Sequence, residues 1–359
     1  MLLHRSRRCW TSTSPHFATR TIPNSRLLSS APVLYSESGS RKQYTPQDVQ
    51  LPPYQGHCVD VSIIDGGITH MLSQMLVHPA PKQQKYLRLA DYSFLIESSH
   101  RRQKALFDLG FMANVTERMP PVLKTAFTNT ANPIMKIESI HDVPTLLQTH
   151  HIPLSTINTI IWSHSHLDHT GDPSVFPPST SLTVGPGFTT SCLPGYPTNP
   201  DSIILDSALA NRDLNEISFA APTATSTTTI GGFRAVDFFH DGSFWLLECP
   251  GHTGHHLGAL ARTTEDSFLL RDKSGGSFYG LAPLLQEDLV QAEETLEKLR
   301  AFDARDDVLV VLAHDASLLD VVDVFPRKAN GWRRKGWGEK GRWGFLREME
   351  REVEGGGDW

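Results

Sequence analysis

Residues 161–171 read Ile161-Trp162-Ser163-His164-Ser165-His166-Leu167-Asp168-His169-Thr170-Gly171. Three imidazoles and one carboxylate between positions 164 and 169 are the side chains in this chain best suited to chemistry. Imidazole nitrogens and carboxylate oxygens are ordinary ligands for zinc, and iron, manganese or cobalt accept the same donors. The alternate spacing lets His164 and His166 address one ion while Asp168 and His169 turn toward a second. A solvated, His-rich loop without a ligand is the bland alternative. The run follows β-branched, apolar residues 157–162, which read as a buried strand, so the donors fall on the loop at its end.

Three further segments end in donors of the same kind. Cys249-Pro250-Gly251-His252-Thr253-Gly254-His255-His256 follows apolar residues 244–247 and puts His252 on a Pro-Gly turn. Phe268-Leu269-Leu270-Arg271-Asp272 closes on a carboxylate, and Val308-Leu309-Val310-Val311-Leu312-Ala313-His314 closes on an imidazole. Each donor stands just past the carboxyl end of a short buried strand, so one rigid sheet edge can hold them all.

The elements that must position these residues are β-rich in both halves. Residues 59–64, and 87–97 with 104–108 turned through 98–102, read as opening strands. Asp142 is a plausible N-cap for a helix over 143–150, which leads into the strand before the His-rich loop. In the second half, 233–239 and 244–247 form a hairpin turned at His240-Asp241-Gly242-Ser243. Residues 287–302 make the clearest amphipathic helix, with Leu289, Ala292, Leu296 and Leu299 on one stripe. The weakly periodic stretches 111–137 and 188–217 are expected to wall a substrate pocket.

The chain has 359 residues and a formal charge of -6, which argues against a nucleic-acid partner because phosphate recognition needs a basic surface. Residues 333–352 mix both signs of charge and read as a solvated face. No stretch reaches the length of a membrane-spanning helix. Cys9, Cys58, Cys192 and Cys249 are dispersed, with no Cys-x-x-Cys pair, which fits a reducing compartment and leaves metal ligation to His and Asp. Residues 1–36 carry Arg5, Arg7, Arg8, Arg20 and Arg26 and no acid. They lack an apolar secretory core, and they resemble a mitochondrial transit peptide or a disordered extension. The expected location is the cytoplasm or the mitochondrial matrix.

With these motifs assembled, the chain resembles the metallo-β-lactamase superfamily of dinuclear metal hydrolases over roughly residues 59–346. Within it, the spacing and the Pro-Gly-His-Thr run look most like the lactone hydrolases that open acyl-homoserine lactones, and their fungal relatives. The resemblance implies an α/β fold, a four-layer αββα sandwich. The composition sets off a leader and linker over 1–43, and the hydrolase domain is expected over 44–352 with a tail over 353–359. Carried over, it assigns one metal to His164, His166 and His252 and the other to Asp168, His169 and His314, with Asp272 bridging two zinc ions. Asp108, in Phe107-Asp108-Leu109-Gly110, matches an Asp that orients the metal loop without ligating. The segment Arg271-Asp272-Lys273-Ser274-Gly275-Gly276 departs from the family's usual small or aromatic side chains, and Tyr279 is the nearest substitute for its ring-opening Tyr.

The implied chemistry is hydrolytic. Two close cations lower the pKa of a shared water from about 16 toward 7, giving a metal-bound hydroxide that attacks a carbonyl. Asp168 and Asp272 are the expected catalytic carboxylates, Asp168 also serving as proton donor to the leaving group. The expected substrate is a small carbonyl compound, a lactone, lactam or related cyclic ester or amide. A thioesterase of the glyoxalase type and a mononuclear iron oxygenase of the persulfide type are the alternatives.

Overall fold

The computed structural model describes residues 44–127, 133–220, 227–263, 267–271, 280–342 and 344. The chain divides into residues 1–41 and 42–359, and the described residues belong to the second unit. The expected leader and linker over 1–43 and the tail over 353–359 lie outside the described residues, as do Asp266, Asp272 and Tyr279.

The first half of the chain contributes strands β1 (Asp60–Leu72), β2 (Val77–His78), β3 (Tyr86–Ser98), β4 (Gln103–Phe107), β5 (Met135–Ile140), β6 (Thr159–Ile161), β7 (Ser181–Val184) and β8 (Leu214–Glu216). The second half contributes β9 (Thr227–Ile230), β10 (Phe233–Asp237), β11 (Phe244–Glu248), β12 (Leu257–Arg262), β13 (Ser267–Arg271), β14 (Gly280–Leu281) and β15 (Val308–Leu312). One sheet runs β5-β1-β3-β4-β6-β7-β8 and the other β15-β13-β12-β11-β10-β9, while β14 pairs with β2. Strands β4, β6, β7 and β8 are mutually parallel, and β13 is parallel to β15. Parallel strands are covered on both faces, which is why β15 reads as an unbroken apolar run rather than an alternating one.

Between the sheets, Val61, Ile63, Tyr92, Phe94 and Phe107 meet Phe244, Leu246, Leu257, Ala259 and Val311. On the outer face of the first sheet, Val143 and Leu147 of the helix Val143–Thr149 pack with Leu95, Leu106, Ile160 and Trp162. On the outer face of the second, Leu299 and Phe302 of the helix Leu289–Asp303 pack with Phe233, Leu247 and Leu260. Helix, sheet, sheet and helix therefore stack as the expected four-layer αββα sandwich. Asp142 caps the first helix as expected, accepting from the Thr145 amide at 3.1 Å.

Two expectations need correction. The long helix starts at Leu289, and its buried stripe is Ala292, Thr295, Leu299 and Phe302, with Leu296 half-buried. Thr295 earns its place on the stripe through its hydroxyl, which donates to the Pro250 carbonyl at 2.9 Å and ties the helix to the His252 turn. The tail is not wholly a solvated face either. Trp332 and Trp337 enter the core between the sheets, because the Phe325 and Ala329 amides donate to the Ile63 and Val61 carbonyls and lay this segment along β1.

A bulge in β1 matters for the site. Asp65 pairs with Tyr92 and Ile68 with Ala90, so Gly66 and Gly67 together face the single residue Asp91 of β3. Bulges of this kind re-aim side chains and are frequent beside active sites.

Candidate metal centre

The His-rich loop begins where β6 ends. The Trp162 amide donates to the Thr183 carbonyl of β7 at 2.9 Å, and its indole donates to the Thr170 carbonyl at 3.0 Å, closing the loop over 163–170. Asp108, immediately after β4, grips both ends. Its Oδ1 accepts from the Ser163 amide at 2.6 Å and its Oδ2 from His169 Nδ1 at 2.9 Å. Gly171 closes the turn at φ +49°, where an added Cβ would lie 2.4 Å from Leu109 Cβ; only glycine lets the loop approach the Asp108 segment.

The second loop follows β11. The Cys249 amide donates to the His256 carbonyl at 2.9 Å, and the Leu257 amide donates to the Ser163 carbonyl at 2.8 Å, so the two loops are joined through backbone. Glu287 holds the turn from outside: its Oε2 accepts from the Gly254 amide at 2.6 Å and its own amide donates to the His252 carbonyl at 3.2 Å. His314 follows β15, and its Nδ1 donates to the Ala90 carbonyl of β3 at 2.8 Å.

These elements bring six of the seven expected donors into two groups. His164, His166 and His252 form one, and Asp168, His169 and His314 the other, with ligand-capable atoms within 4.8 Å of one another in each. The groups abut, since the His164 and His169 ring centroids are 4.2 Å apart. Asp272 lies outside the described residues. His256 is buried with its ring 4.6 Å from that of His164, and neither it nor His255 belongs to either group.

The donor chemistry fits a cation. In the second group, His169 Nδ1 is committed to Asp108 and His314 Nδ1 to the Ala90 carbonyl. In the neutral rings both Nε2 atoms then carry lone pairs, and they face each other at 3.2 Å with Asp168 Oδ2 at 3.8 and 3.5 Å. Facing lone pairs beside a carboxylate repel until positive charge lies among them, and fixing one ring nitrogen as donor is how a protein presents the other to a metal. In the first group, burial pushes His164 well below the ordinary histidine range, with neighbouring imidazoles adding to the effect. It is thereby held in the neutral form that metals bind. Burial likewise takes His255 down to about 4, helped by His166 and opposed by Glu216.

One residue escaped the sequence analysis. Asp91 is buried at 1 % exposure, and its Oδ2 accepts from the Phe111 amide at 3.1 Å. Burial raises its pKa to about 7; His169 and His314 work against that rise and Asp168 adds to it. The signal was an acid inside the mostly apolar strand Leu89-Ala90-Asp91-Tyr92-Ser93-Phe94. In the stretch 111–137, Phe111, Met112, Val115, Met119 and Met135 pack with Leu167, the residue before Asp168. Cys58, Cys192 and Cys249 are thiols rather than disulfides. Among the described residues, no helix is long and apolar enough to cross a membrane.

No family model matches the chain. It is 37% identical over 347 residues to a Penicillium brevicompactum protein named cytochrome P450 monooxygenase mpaDE', a match that covers 88% of this chain and 40% of that protein. The chain thus spans about 40% of the length of the first curated relatives it matches. It is 33% identical over 356 residues to gamma-lactamase FDB1 of Fusarium pseudograminearum, covering 84% of each chain. It is 34% identical over 344 residues to metallo-hydrolase mfmC of Annulohypoxylon moriforme, covering 83% of this chain and 89% of that protein. Among solved structures, an N-acyl homoserine lactone hydrolase with N-hexanoyl-L-homoserine at its catalytic metal center superposes with a TM-score of 0.55. That match spans 76% of this chain and 99% of the other, and at 16% identity the likeness is one of fold.

Proposed function

Because this chain belongs to the metallo-β-lactamase superfamily of metal-dependent hydrolases, we propose that it opens a lactam or lactone ring by hydrolysis, with two divalent cations, zinc in the first instance. The observation that carries this reading is the pair of abutting three-donor groups where strand ends of the two sheets meet, rather than on the single sheet edge expected from the sequence. His164, His166 and His252 would hold one cation, and Asp168, His169 and His314 the other. Asp272, beyond the described residues, would bridge them. A relative named gamma-lactamase, matched over most of both chains, supports a cyclic amide over a thioester. The closeness of Asp168, His169 and His314 supports two cations over a mononuclear iron oxygenase.

When bound, the cations supply a hydroxide nucleophile near neutral pH and polarise the carbonyl. The chain's own residues do the rest. Asp108 fixes the His169 tautomer and the start of the loop, and the Ala90 carbonyl fixes that of His314. Asp168, half-buried with Oδ2 beside both rings, would hold the cation through that oxygen and take up on its other oxygen the proton released as oxygen adds to the carbonyl carbon. It returns that proton to the ring nitrogen or oxygen as the carbon–heteroatom bond breaks, leaving an open chain with a free carboxylate.

The test is elemental analysis of the purified full chain together with a turnover panel of γ-lactams, γ-lactones and acyl thioesters. Two zinc ions per chain and chelator-sensitive opening of a lactam or lactone are expected. Turnover that persists in metal-free protein, or turnover of thioesters alone, would overturn the proposal.

A further inference from the structure

Asp91 is placed with unusual care for a residue with no assigned role. β3 pairs with β4 only as far as Phe94, opposite Phe107, so Asp91 lies three residues beyond that pairing, on the side where Asp108 and the His-rich loop emerge. Its two chain neighbours hold the His314 segment: the Ala90 carbonyl accepts from His314 Nδ1, and the Tyr92 amide donates to the Ala313 carbonyl at 2.9 Å. Space for the carboxylate is made by two glycines. A Cβ on Gly110 would lie 2.9 Å from Asp91 Oδ2, and one on Gly66 would lie 2.6 Å from the Asp91 carbonyl oxygen and 3.3 Å from Oδ2.

Among the described residues, only half of this carboxylate is engaged. Oδ2 takes the Phe111 amide and steadies the chain just after Asp108-Leu109-Gly110, whereas Oδ1, fully buried, has no hydrogen-bond partner among the described residues. A structural anchor for one amide needs no charge, since an asparagine carbonyl serves as well. Burying an ionisable group with an unused oxygen is unfavourable unless positive charge is near. The charged groups that bear on it are those of the second donor group: His169 and His314 favour its ionised form and Asp168 opposes it.

Resting on the two-cation reading above, we propose that Asp91 supplies the second half of the centre with an additional negative charge, raising the affinity of the Asp168, His169 and His314 group for a divalent cation. It acts as a positioning residue in two ways. Oδ2 anchors the loop that carries Asp108, and the charge offsets that of the cation from outside its ligand set. A cation drawn there in turn removes the penalty of burying Asp91, so each stabilises the other.

Asparagine separates the two jobs, because it keeps a carbonyl oxygen for the Phe111 amide and removes the charge. Full-length wild type, Asp91→Asn and Asp91→Ala are titrated with zinc against a competing chromophoric chelator, and zinc per chain is counted after dialysis. The expected result is that Asp91→Asn binds its first zinc within about twofold of wild type and its second roughly 10- to 100-fold more weakly. Asp91→Ala shows the same loss and a lower melting temperature. On a His169→Ala background, which disables the second group, Asp91→Asn changes zinc affinity no further. Asp91→Ser gives a second uncharged replacement should the asparagine variant not fold. If wild type binds two zinc ions and the folded Asn or Ser variant binds both equally well, Asp91 is a loop anchor alone and the proposal falls. If wild type binds a single ion, both this proposal and the two-cation reading fall.

Discussion

The Asp108 carboxylate reaches the Ser163 amide with one oxygen and His169 Nδ1 with the other, at 2.6 and 2.9 Å. A single side chain thus fixes the beginning of the His-rich loop and the tautomer of a donor six residues later. Asp108→Asn keeps an acceptor for Ser163 but offers an amide where His169 needs a carboxylate or carbonyl oxygen. Loss of such an outer partner weakens metal binding by roughly 10- to 100-fold. Chelator competition on the variant checks this, with the second cation expected to leave first.

His164→Ala and His252→Ala remove donors from the same group. Each is expected to lose one cation per chain and to lower turnover by more than about 100-fold, since loss of a ligand exceeds loss of its outer partner. Metal content and rate measured on one sample decide the matter; full zinc with full rate in either variant would remove this group from the site.

Asp272 and Asp266 are rival carboxylates around β13, both beyond the described residues. A bridging carboxylate offsets two positive charges, so Asp272→Ala is expected to bring metal content toward one ion per chain and to cut the rate by orders of magnitude. Asp266→Ala is expected to do neither. The reverse pattern in the two variants would move the bridge to Asp266.

His255 makes stability depend on pH. Burial holds its folded pKa at about 4, below the unfolded value near 6.5. The folded state therefore resists protonation while the unfolded state accepts it. The stability associated with the neutral ring is intact above about pH 6.5 and is lost as pH falls toward 4, by about 2 kcal/mol between pH 7 and pH 5. Denaturant titrations of wild type and His255→Gln at those two pH values measure it. The variant should lose less stability than wild type by about that amount.

Gly251, at φ +131° in the Pro-Gly turn, lies against the start of the long helix, where a Cβ would meet the Ala292 nitrogen at 2.1 Å. Gly251→Ala must either move the helix or distort the turn that presents His252. A loss on the order of 3 kcal/mol is expected from backbone strain and overpacking together. An unchanged denaturation midpoint would show that the turn has an alternative path.

The sequence was most legible where one residue type has few uses. Histidines and aspartates at strand ends, the Asp142 cap and the unbroken apolar strands were read in advance because donor chemistry, capping and burial each leave a local mark. Six of the seven donors lie together in two groups, and Asp272 lies outside the described residues. Side chains whose roles depend on tertiary neighbours were read less well. Thr295 replaces Leu296 on the buried stripe because of the Pro250 carbonyl, which no helical period reveals. Trp332 and Trp337 sit in a charged stretch, yet β1 draws them into the core. Asp91 was passed over because its meaning lies in the bulge opposite and in His314, both remote in sequence.

His169 and His314 touch across 145 residues of chain, one from each sheet. No local segment can assemble either donor group, since each draws its third member from the second half of the chain. Contacts of such long sequence separation form late, after loop closure has brought distant strands together. Cation capture at full strength must therefore follow the docking of the two sheets. Refolding in the presence of zinc should leave the early rate unchanged and slow unfolding instead, with the metal acting as a latch on a structure already assembled.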